Sequence, residues 1–259
     1  MNETIVAEVL ILGFDGFNEY RIPLFLLLLV IYTLTCIENL LMISVIWKSP
    51  RLHSPMYFLI SNLLFCEFVG TTGIDPSVMQ NILWGRSVVP FVDCVIQMHV
   101  VIAILVFETF LLTLMSYDRY LAICQPLRYS ALMHNRLCLY LIISFWLFSA
   151  MVVAVSFYFF MSLKFCAPVI IYYFFCECTA FSVKWCVISN TKPLYIFGWV
   201  ITYLLNLPFA FIVLSYLLII ISILRIKTSA RRQKAFSTCS SHLVVVTLYF
   251  GIPFATYMH

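Results

Sequence analysis

The chain contains 259 residues, of which 64% are hydrophobic, 17% are aromatic and only 10% are charged. This composition excludes a soluble globular protein, which needs a polar surface, and it is typical of a protein that spans a membrane. The formal net charge of +4 does not indicate nucleic-acid binding, because a basic excess in a membrane chain usually marks its cytoplasmic loops. We therefore expect membrane lipid around the chain and no nucleic acid as a partner.

Six apolar stretches are long enough to cross about 30 Å of hydrocarbon at about 1.5 Å per residue. In chain order they lie near Pro23–Trp47, Met56–Ile74, Val89–Ser116, Leu139–Ser162, Leu194–Leu224 and Thr238–Met258. The sequence shows no internal repeat of the transporter type and no low-complexity segment. We therefore expect an all-α membrane protein that forms a single domain over residues 1–259.

The distribution of charge predicts which ends of these helices face the cytoplasm. With an extracellular N-terminus, ten of the fifteen basic residues fall on the cytoplasmic side and seven of the eleven acidic residues fall on the outer side. The positive-inside rule therefore supports this orientation. Asn2 begins an Asn-Glu-Thr glycosylation motif that would then be extracellular, although a chance match is the alternative for so short a motif.

Five of the ten cysteines fall on the outer side, where disulfides persist. One opens the third span and four lie in the long loop that follows the fourth span: Cys94, then Cys166, Cys176, Cys178 and Cys186. Five cysteines permit at most two disulfides with one thiol left over. A zinc site is the competing interpretation, but the loop contains no histidine.

The third span ends in an acid and a base, Asp118 and Arg119. Asp118 lies 24 residues after Cys94, about 36 Å of helical rise, so these two residues mark opposite ends of one helix. The cytoplasmic arginine can neutralise the adjacent carboxylate, or it can change partners when neighbouring helices move. The alternative is an arginine that only anchors the helix at the membrane interface.

A polar layer is predicted near the middle of the membrane. Asn39, Glu67 and Glu108 each lie about 13–16 Å of helical rise from the cytoplasmic side. Carboxylates at that depth are costly, so they normally pair, bind a cation or stay protonated. Two neutral acids that hydrogen-bond to their helix neighbours are the alternative.

Four stretches of the chain resemble the odorant receptors, a branch of the rhodopsin-like G-protein-coupled receptors. In chain order these are SPMYFLISNLLFCE at 54–67, MSYDRYLAICQPLRYS at 115–130, LPFAFIVLSYLLIIISIL at 207–224 and KAFSTCSSHL at 234–243. They follow the order of the family over nearly the whole chain. The resemblance implies a rhodopsin-like seven-helix bundle, of which this sequence supplies six transmembrane helices.

The resemblance also implies a receptor rather than an enzyme, with no cofactor. Its partners would be a small-molecule odorant within the helix bundle and a stimulatory heterotrimeric G protein at the cytoplasmic face of the plasma membrane. Asp118, Arg119 and Tyr120 would hold the inactive state and then open toward the G protein. Tyr216 on the fifth span would be a partner of this switch.

The ligand pocket that the resemblance implies lies between the third, fifth and sixth spans, beneath the long outer loop. Each candidate residue, taken singly, is more often helix packing than ligand contact. The candidates are Met98, Ile102, Leu105, Val106, Val200, Leu204, Phe250, Phe254 and Tyr257. Such an apolar lining suits small organic ligands. The family usually has Phe-Tyr-Gly where this chain has Tyr249-Phe250-Gly251, so a hydroxyl that commonly faces the pocket has moved or gone.

Two further features are implied by the resemblance alone. Disulfides are expected at Cys94–Cys176 and Cys166–Cys186. The polar layer resembles the sodium-linked cluster of the family, so sodium at Glu67 and Glu108 is the one metal considered. Glu67 stands where aspartate is commoner and Glu38 where glycine is usual, and these departures leave the occupancy of the ion open.

The sequence reaches His259 without a seventh apolar stretch, and three functional classes are considered. The first is an odorant receptor that signals when completed. The second is a six-span product that does not signal and is retained or associates with other receptors. If the chain truly ends at His259, we expect retention in the endoplasmic reticulum and no response to odorants. A transporter, channel or membrane enzyme is the third class, but the inverted repeats, filter or His/acid cluster typical of these proteins do not occur in the sequence.

Overall fold

The computed structural model describes residues 8–13, 18–164, 169–176, 191–225 and 228–257. Helices dominate, because backbone groups in hydrocarbon must form their hydrogen bonds within their own segment. The helices are α1 (Arg21–Lys48), α2 (Pro55–Trp84), α3 (Phe91–Cys124), α4 (Pro126–Leu132), α5 (Asn135–Met161), α6 (Lys192–Leu224) and α7 (Ser229–Tyr257). Single 3-10 turns at Asn18–Tyr20 and Pro50–Leu52 precede α1 and α2. The short helix α4 lies in a connection, and the six others correspond in order to the predicted spans.

Five helices in the described part of the chain, α1, α2, α3, α5 and α6, are long and apolar enough to cross a membrane. Helix α7 contributes a shorter apolar stretch, His242–Gly251. The prediction of an all-α membrane fold is confirmed. The main difference is α2, which continues beyond the predicted end at Ile74 as far as Trp84. Its last turns are polar but helical, and Asn81 there donates a hydrogen bond of 2.8 Å to the carbonyl of Phe174.

A small sheet lies at the outer end of the bundle, and the sequence does not predict it. Its strands are β1 (Glu8–Ile11), β2 (Ser87–Pro90) and β3 (Val169–Ile171), in the order β2-β1-β3. Strand β1 pairs antiparallel with β2 and parallel with β3. The inward side chains of β1 and β3 belong to one buried outer cluster: Val9, Ile11, Val169, Ile171, Cys94, Val95, Met98, Phe160 and Cys176. The sheet therefore covers the outer end of α3.

Helix α3 is the central element of the bundle and packs against α2, α5 and α6. Its outer third joins the cluster beneath the sheet, and its inner half supplies much of a second buried cluster. The contact with α5 combines an aromatic stack of Phe107 on Trp146, with centroids 4.2 Å apart, and a hydrogen bond of 2.6 Å from Ser149 Oγ to the carbonyl of Ala103. A shift of α3 must therefore disturb both ends of the bundle.

Gly85 ends α2 and turns the chain into β2. Its φ of +72° lies in the left-handed region that favours glycine. Its amide donates a hydrogen bond of 2.8 Å to the carbonyl of Asn81, which closes the helix in the manner of a glycine C-cap. A Cβ at this position would lie 1.9 Å from the Arg21 guanidinium. Glycine therefore permits both the turn and the close approach of the start of α1.

Candidate functional site

The inner end of α3 carries a buried ion pair. Asp118 is fully buried and Arg119 is 15% exposed, with Arg119 Nη2 2.8 Å from Asp118 Oδ2. Within the described residues Oδ2 has no hydrogen-bond partner, so the contact is an ion pair rather than an aligned hydrogen bond. Removing one partner of such a pair typically destabilises a protein by about 3–5 kcal/mol, because the other charge remains buried. The two residues therefore act as a unit.

Tyr129 on α4 supplies the second contact of Asp118. Its hydroxyl donates a hydrogen bond of 2.9 Å to Asp118 Oδ1. Burial, reinforced by the negative charge of Asp118, raises the pKa of Tyr129 to about 12, so the phenol keeps its proton at neutral pH. The sequence alone does not single out this tyrosine, because the chain reverses between α3 and α4 and no helical spacing relates the two residues. The hydrogen bond fastens α4 to the ion pair.

Tyr216 and His242 form a second polar contact at the inner end of the bundle. The Tyr216 hydroxyl and His242 Nδ1 are hydrogen-bonded across α6 and α7, and both side chains are buried. Arg119 Nε and His242 Nε2 are buried and have no hydrogen-bond partner in the part of the chain that the structure describes. Tyr216, the predicted partner of the switch, is thus held by His242, which the sequence alone does not single out.

Besides the contact of Asn81 with Phe174, the outer loop is fastened to α3 and α2 through a disulfide and a glutamine. Cys94 and Cys176 form a disulfide, as predicted. The amide of Cys176 donates a hydrogen bond of 3.2 Å to Gln97 Oε1. Gln97 Nε2 in turn donates to the carbonyl of Gly73 at 3.0 Å and to Ser77 Oγ at 3.1 Å. The remaining predictions for the outer side fall outside the described residues: Asn2, Cys166, Cys178 and Cys186.

The predicted mid-membrane layer is only partly assembled. Glu108 is buried, whereas Glu67 is exposed. Asn39 is buried, but its Nδ2 has no hydrogen-bond partner among the described residues. Tyr249 Oη adds a further polar group, which donates a hydrogen bond of 2.9 Å to the carbonyl of Leu105.

The predicted sodium site depends on the side chains of Glu67 and Glu108. The carboxylates of Glu67 and Glu108 offer the oxygen ligands that hard cations prefer. The described residues contain no group of three or more His, Cys, Asp or Glu side chains placed to hold a metal. Sodium at Glu67 and Glu108 therefore stays a prediction.

The cavities lined by described residues include two at opposite ends of the bundle. One, of about 370 Å³, lies between the outer halves of α2 and α3 beside the disulfide, with Ser77, Gln97, Val101 and Ile104 in its wall. The other, of about 520 Å³, lies at the cytoplasmic ends of α1, α2 and α5. Both volumes fall in the range of about 300–1,000 Å³ typical of sites for small molecules.

Comparison with known proteins shows the family of the chain. Residues 38–259 match the sequence model of the family described as 7 transmembrane receptor (rhodopsin family). The chain is 37% identical to olfactory receptor 10A7 of Homo sapiens over 99% of its own length and 81% of that relative. The chain belongs to the olfactory receptor family. Two other relatives are olfactory receptor 6F1 of Homo sapiens, 38% identical over 96% of the chain and 81% of the relative, and olfactory receptor 8U3 of Mus musculus, 35% identical over 97% and 78%.

Within this olfactory receptor fold, the seven predicted pocket residues whose side chains are described do not line either of these two cavities. Met98 and Val106 are buried, and Ile102 packs against the outer cluster. The exposed members are Leu105, Val200 and Leu204. Phe250 packs against Phe209, with ring centroids 4.8 Å apart. The side chains of Phe254 and Tyr257 lie outside those described. The pocket assignment therefore stays a prediction.

The contact of Tyr129 with Asp118 gives a testable prediction for the stability of the receptor. Tyr129→Phe removes a hydrogen bond to a charged group, which is worth about 1.5–3 kcal/mol. We expect the unfolding temperature of the purified protein in detergent to fall by roughly 3–12 °C. Tyr140→Phe is the matched control, because Tyr140 is 69% exposed. Equal unfolding temperatures for the parent and Tyr129→Phe would contradict a stabilising role for this hydroxyl.

Proposed function

We propose that the chain is an odorant receptor of the plasma membrane, organised as a single receptor domain over residues 1–259. It binds small organic ligands in the outer half of the bundle and activates a stimulatory heterotrimeric G protein at the cytoplasmic face. The observation that carries this proposal is the buried Asp118–Arg119 pair at the inner end of α3, in a chain of the olfactory receptor family. A buried charge pair is costly in a membrane, so its presence favours a functional role over simple packing.

The proposed ligand site lies beneath the sheet, where α3 meets the outer loop and α6. The predicted lining there is almost wholly apolar, which favours small and weakly polar organic molecules. A ligand can shift the conformation of the bundle only if it binds one state more tightly than the other. Because α3 reaches both buried clusters, a ligand that displaces its outer end would also displace Asp118 and Arg119.

At the cytoplasmic end, the proposed change is an exchange of polar partners. In the structure Arg119 is paired with Asp118, and Tyr216 is paired with His242. Separation of α7 from α6 would break the second contact and leave the Tyr216 hydroxyl available to the guanidinium. Arg119 would then face the cytoplasm, where a G protein docks. If sodium binds, Glu67 and Glu108 would hold it, and it would neutralise the two acids in the mid-membrane layer.

The test is a cyclic AMP reporter assay in cells that express an olfactory stimulatory G protein. Two forms would be compared across a panel of volatile compounds: the 259 residues, and the same residues joined to the carboxy-terminal segment of a relative that lies beyond the matched part. We expect at least one compound to raise cyclic AMP in a dose-dependent manner in the extended form. Surface staining normalises the response. The non-signalling alternative would be favoured by an extended form that reaches the surface but gives no cyclic AMP response to any compound. The purified extended form would then also fail to activate purified G protein.

A further inference from the structure

The cavity at the cytoplasmic ends of α1, α2 and α5 has walls and a rim of different chemistry. The walls are apolar and include Trp47 and Leu139, which are 75% and 45% exposed. The rim carries His53, Ser54 and Arg136. Apolar walls beside a polar and basic rim thus enclose a volume of about 520 Å³. The cavity therefore suits an amphipathic molecule, with its apolar part against the walls and its polar part at the rim.

Two helices begin at this cavity. Ser54 is the N-cap of α2, and α5 begins at Asn135; neither helix has a side-chain hydrogen bond at its cap. Both Ser54 and Asn135 line the cavity. Amide groups in the first turn of a helix lack intrahelical partners, and the helix dipole adds partial positive charge there. Two positive helix ends and the Arg136 guanidinium thus converge on one rim, which favours an anionic group.

No nearby acid neutralises this charge. The sequence contains no Asp or Glu between residues 39 and 66 or between residues 120 and 176. Asp118, the acid at the cytoplasmic end of α3, is fully buried and paired with Arg119. No described residue offers Arg136 an ion pair. Arg136 is exposed and has no acidic partner among the described residues, so its guanidinium is accessible to an anion from outside the chain.

We propose that this cavity binds one anionic phospholipid of the cytoplasmic leaflet. Its phosphate would lie between Arg136 and the starts of α2 and α5, because a guanidinium matches phosphate oxygens with two parallel hydrogen bonds. One acyl chain would pass over Phe58 and Leu139 into the bilayer. Basic pockets between transmembrane helices on the cytoplasmic side suit such head groups. This inference does not depend on the proposed signalling function.

The experiment measures which lipid the purified chain retains. The 259-residue chain in dodecyl maltoside would be incubated with equal amounts of phosphatidylserine and phosphatidylcholine that have identical acyl chains, and retained lipid would be quantified by mass spectrometry. We expect phosphatidylserine to be preferred, and Arg136→Gln to reduce this preference about fivefold. Arg136→Lys should keep at least half of it. Arg128→Gln, which removes an exposed arginine of α4 outside the cavity, should leave it unchanged.

A second variant separates the cavity from the charge. Leu139→Trp places a larger side chain in the cavity while Arg136 remains, and it should also reduce the preference. Formation of the Cys94–Cys176 disulfide and elution as a single species check that each variant is folded. An undiminished preference in Arg136→Gln would overturn the proposal, and so would equal losses in Arg136→Gln and Arg128→Gln, which indicate diffuse surface charge. Added cholesterol that displaces phosphatidylserine from the parent would also overturn it, because the occupant would then be a neutral sterol.

Discussion

Arg119→Ala is expected to abolish odorant-dependent cyclic AMP production by those extended receptors that reach the cell surface. The guanidinium is the group proposed to leave Asp118 and face the G protein. Alanine offers neither charge nor hydrogen bonds at that position. The measurement is the maximal odorant response per surface receptor, which should fall to that of cells without receptor.

A stability loss must be separated from the signalling loss. Arg119→Ala alone leaves a buried carboxylate, which typically costs about 3–5 kcal/mol. The double variant Asp118→Asn with Arg119→Ala removes both charges, so it should be delivered well but remain silent. Asp118→Asn alone frees the arginine and should raise signalling without odorant. Undiminished odorant responses in Arg119→Ala would show that the arginine only anchors the helix.

Cys94→Ser is expected to reduce the amount of receptor at the cell surface several-fold. The Cys94–Cys176 bond closes a loop across 82 positions of sequence. Such a bond typically stabilises by about 2–4 kcal/mol, with the upper end expected for long loops. This is a large part of a typical folding margin of about 5–15 kcal/mol, and losses of that size lower cellular abundance. The loss would also loosen the hydrogen bond between Gln97 and the Cys176 amide.

The control for this prediction compares the two single cysteine variants with the double variant, because all three lack the same bond. Cys176→Ser should behave like Cys94→Ser, and the double variant should lose no more than either single variant, because only one bond is removed. Cys36→Ser changes a free cysteine of α1 and should have little effect. Flow cytometry of intact cells gives the surface amount. Non-reducing peptide mapping of the parent that found both thiols free would remove the basis of the prediction.

The sequence predicts the helices well because hydrocarbon selects long apolar stretches. The predicted third and fifth spans begin within two residues of the observed helices, as Val89 and Leu194 against Phe91 and Lys192. The end of α2 differs from the prediction because a helix can continue through polar residues after its apolar stretch has ended. Residues such as Asn81 end the apolar stretch, but they find hydrogen-bond partners in the outer loop and the helix continues.

The functional site is predictable only where a residue conflicts with its surroundings. Asp118 and Arg119 stand out because charge is costly at the end of an apolar helix. Tyr129 and His242 do not stand out, because tyrosine and histidine are unremarkable in a cytoplasmic connection and an amphipathic helix. Their roles arise from tertiary contacts across a chain reversal and between two helices. The three strands are too short, at three or four residues, for an alternation of side chains to identify them.

The central position of β1 sets an order on biosynthesis. The strand nearest the N-terminus is made first, but its parallel partner β3 begins at Val169, more than 150 residues later. At a typical translation rate of about 5–20 residues per second, about 10–30 s separate the synthesis of β1 from that of β3. During that interval Val9 and Ile11 lack the cover of Val169 and Ile171. With the predicted extracellular N-terminus, the sheet can therefore close only after α5 has crossed the membrane.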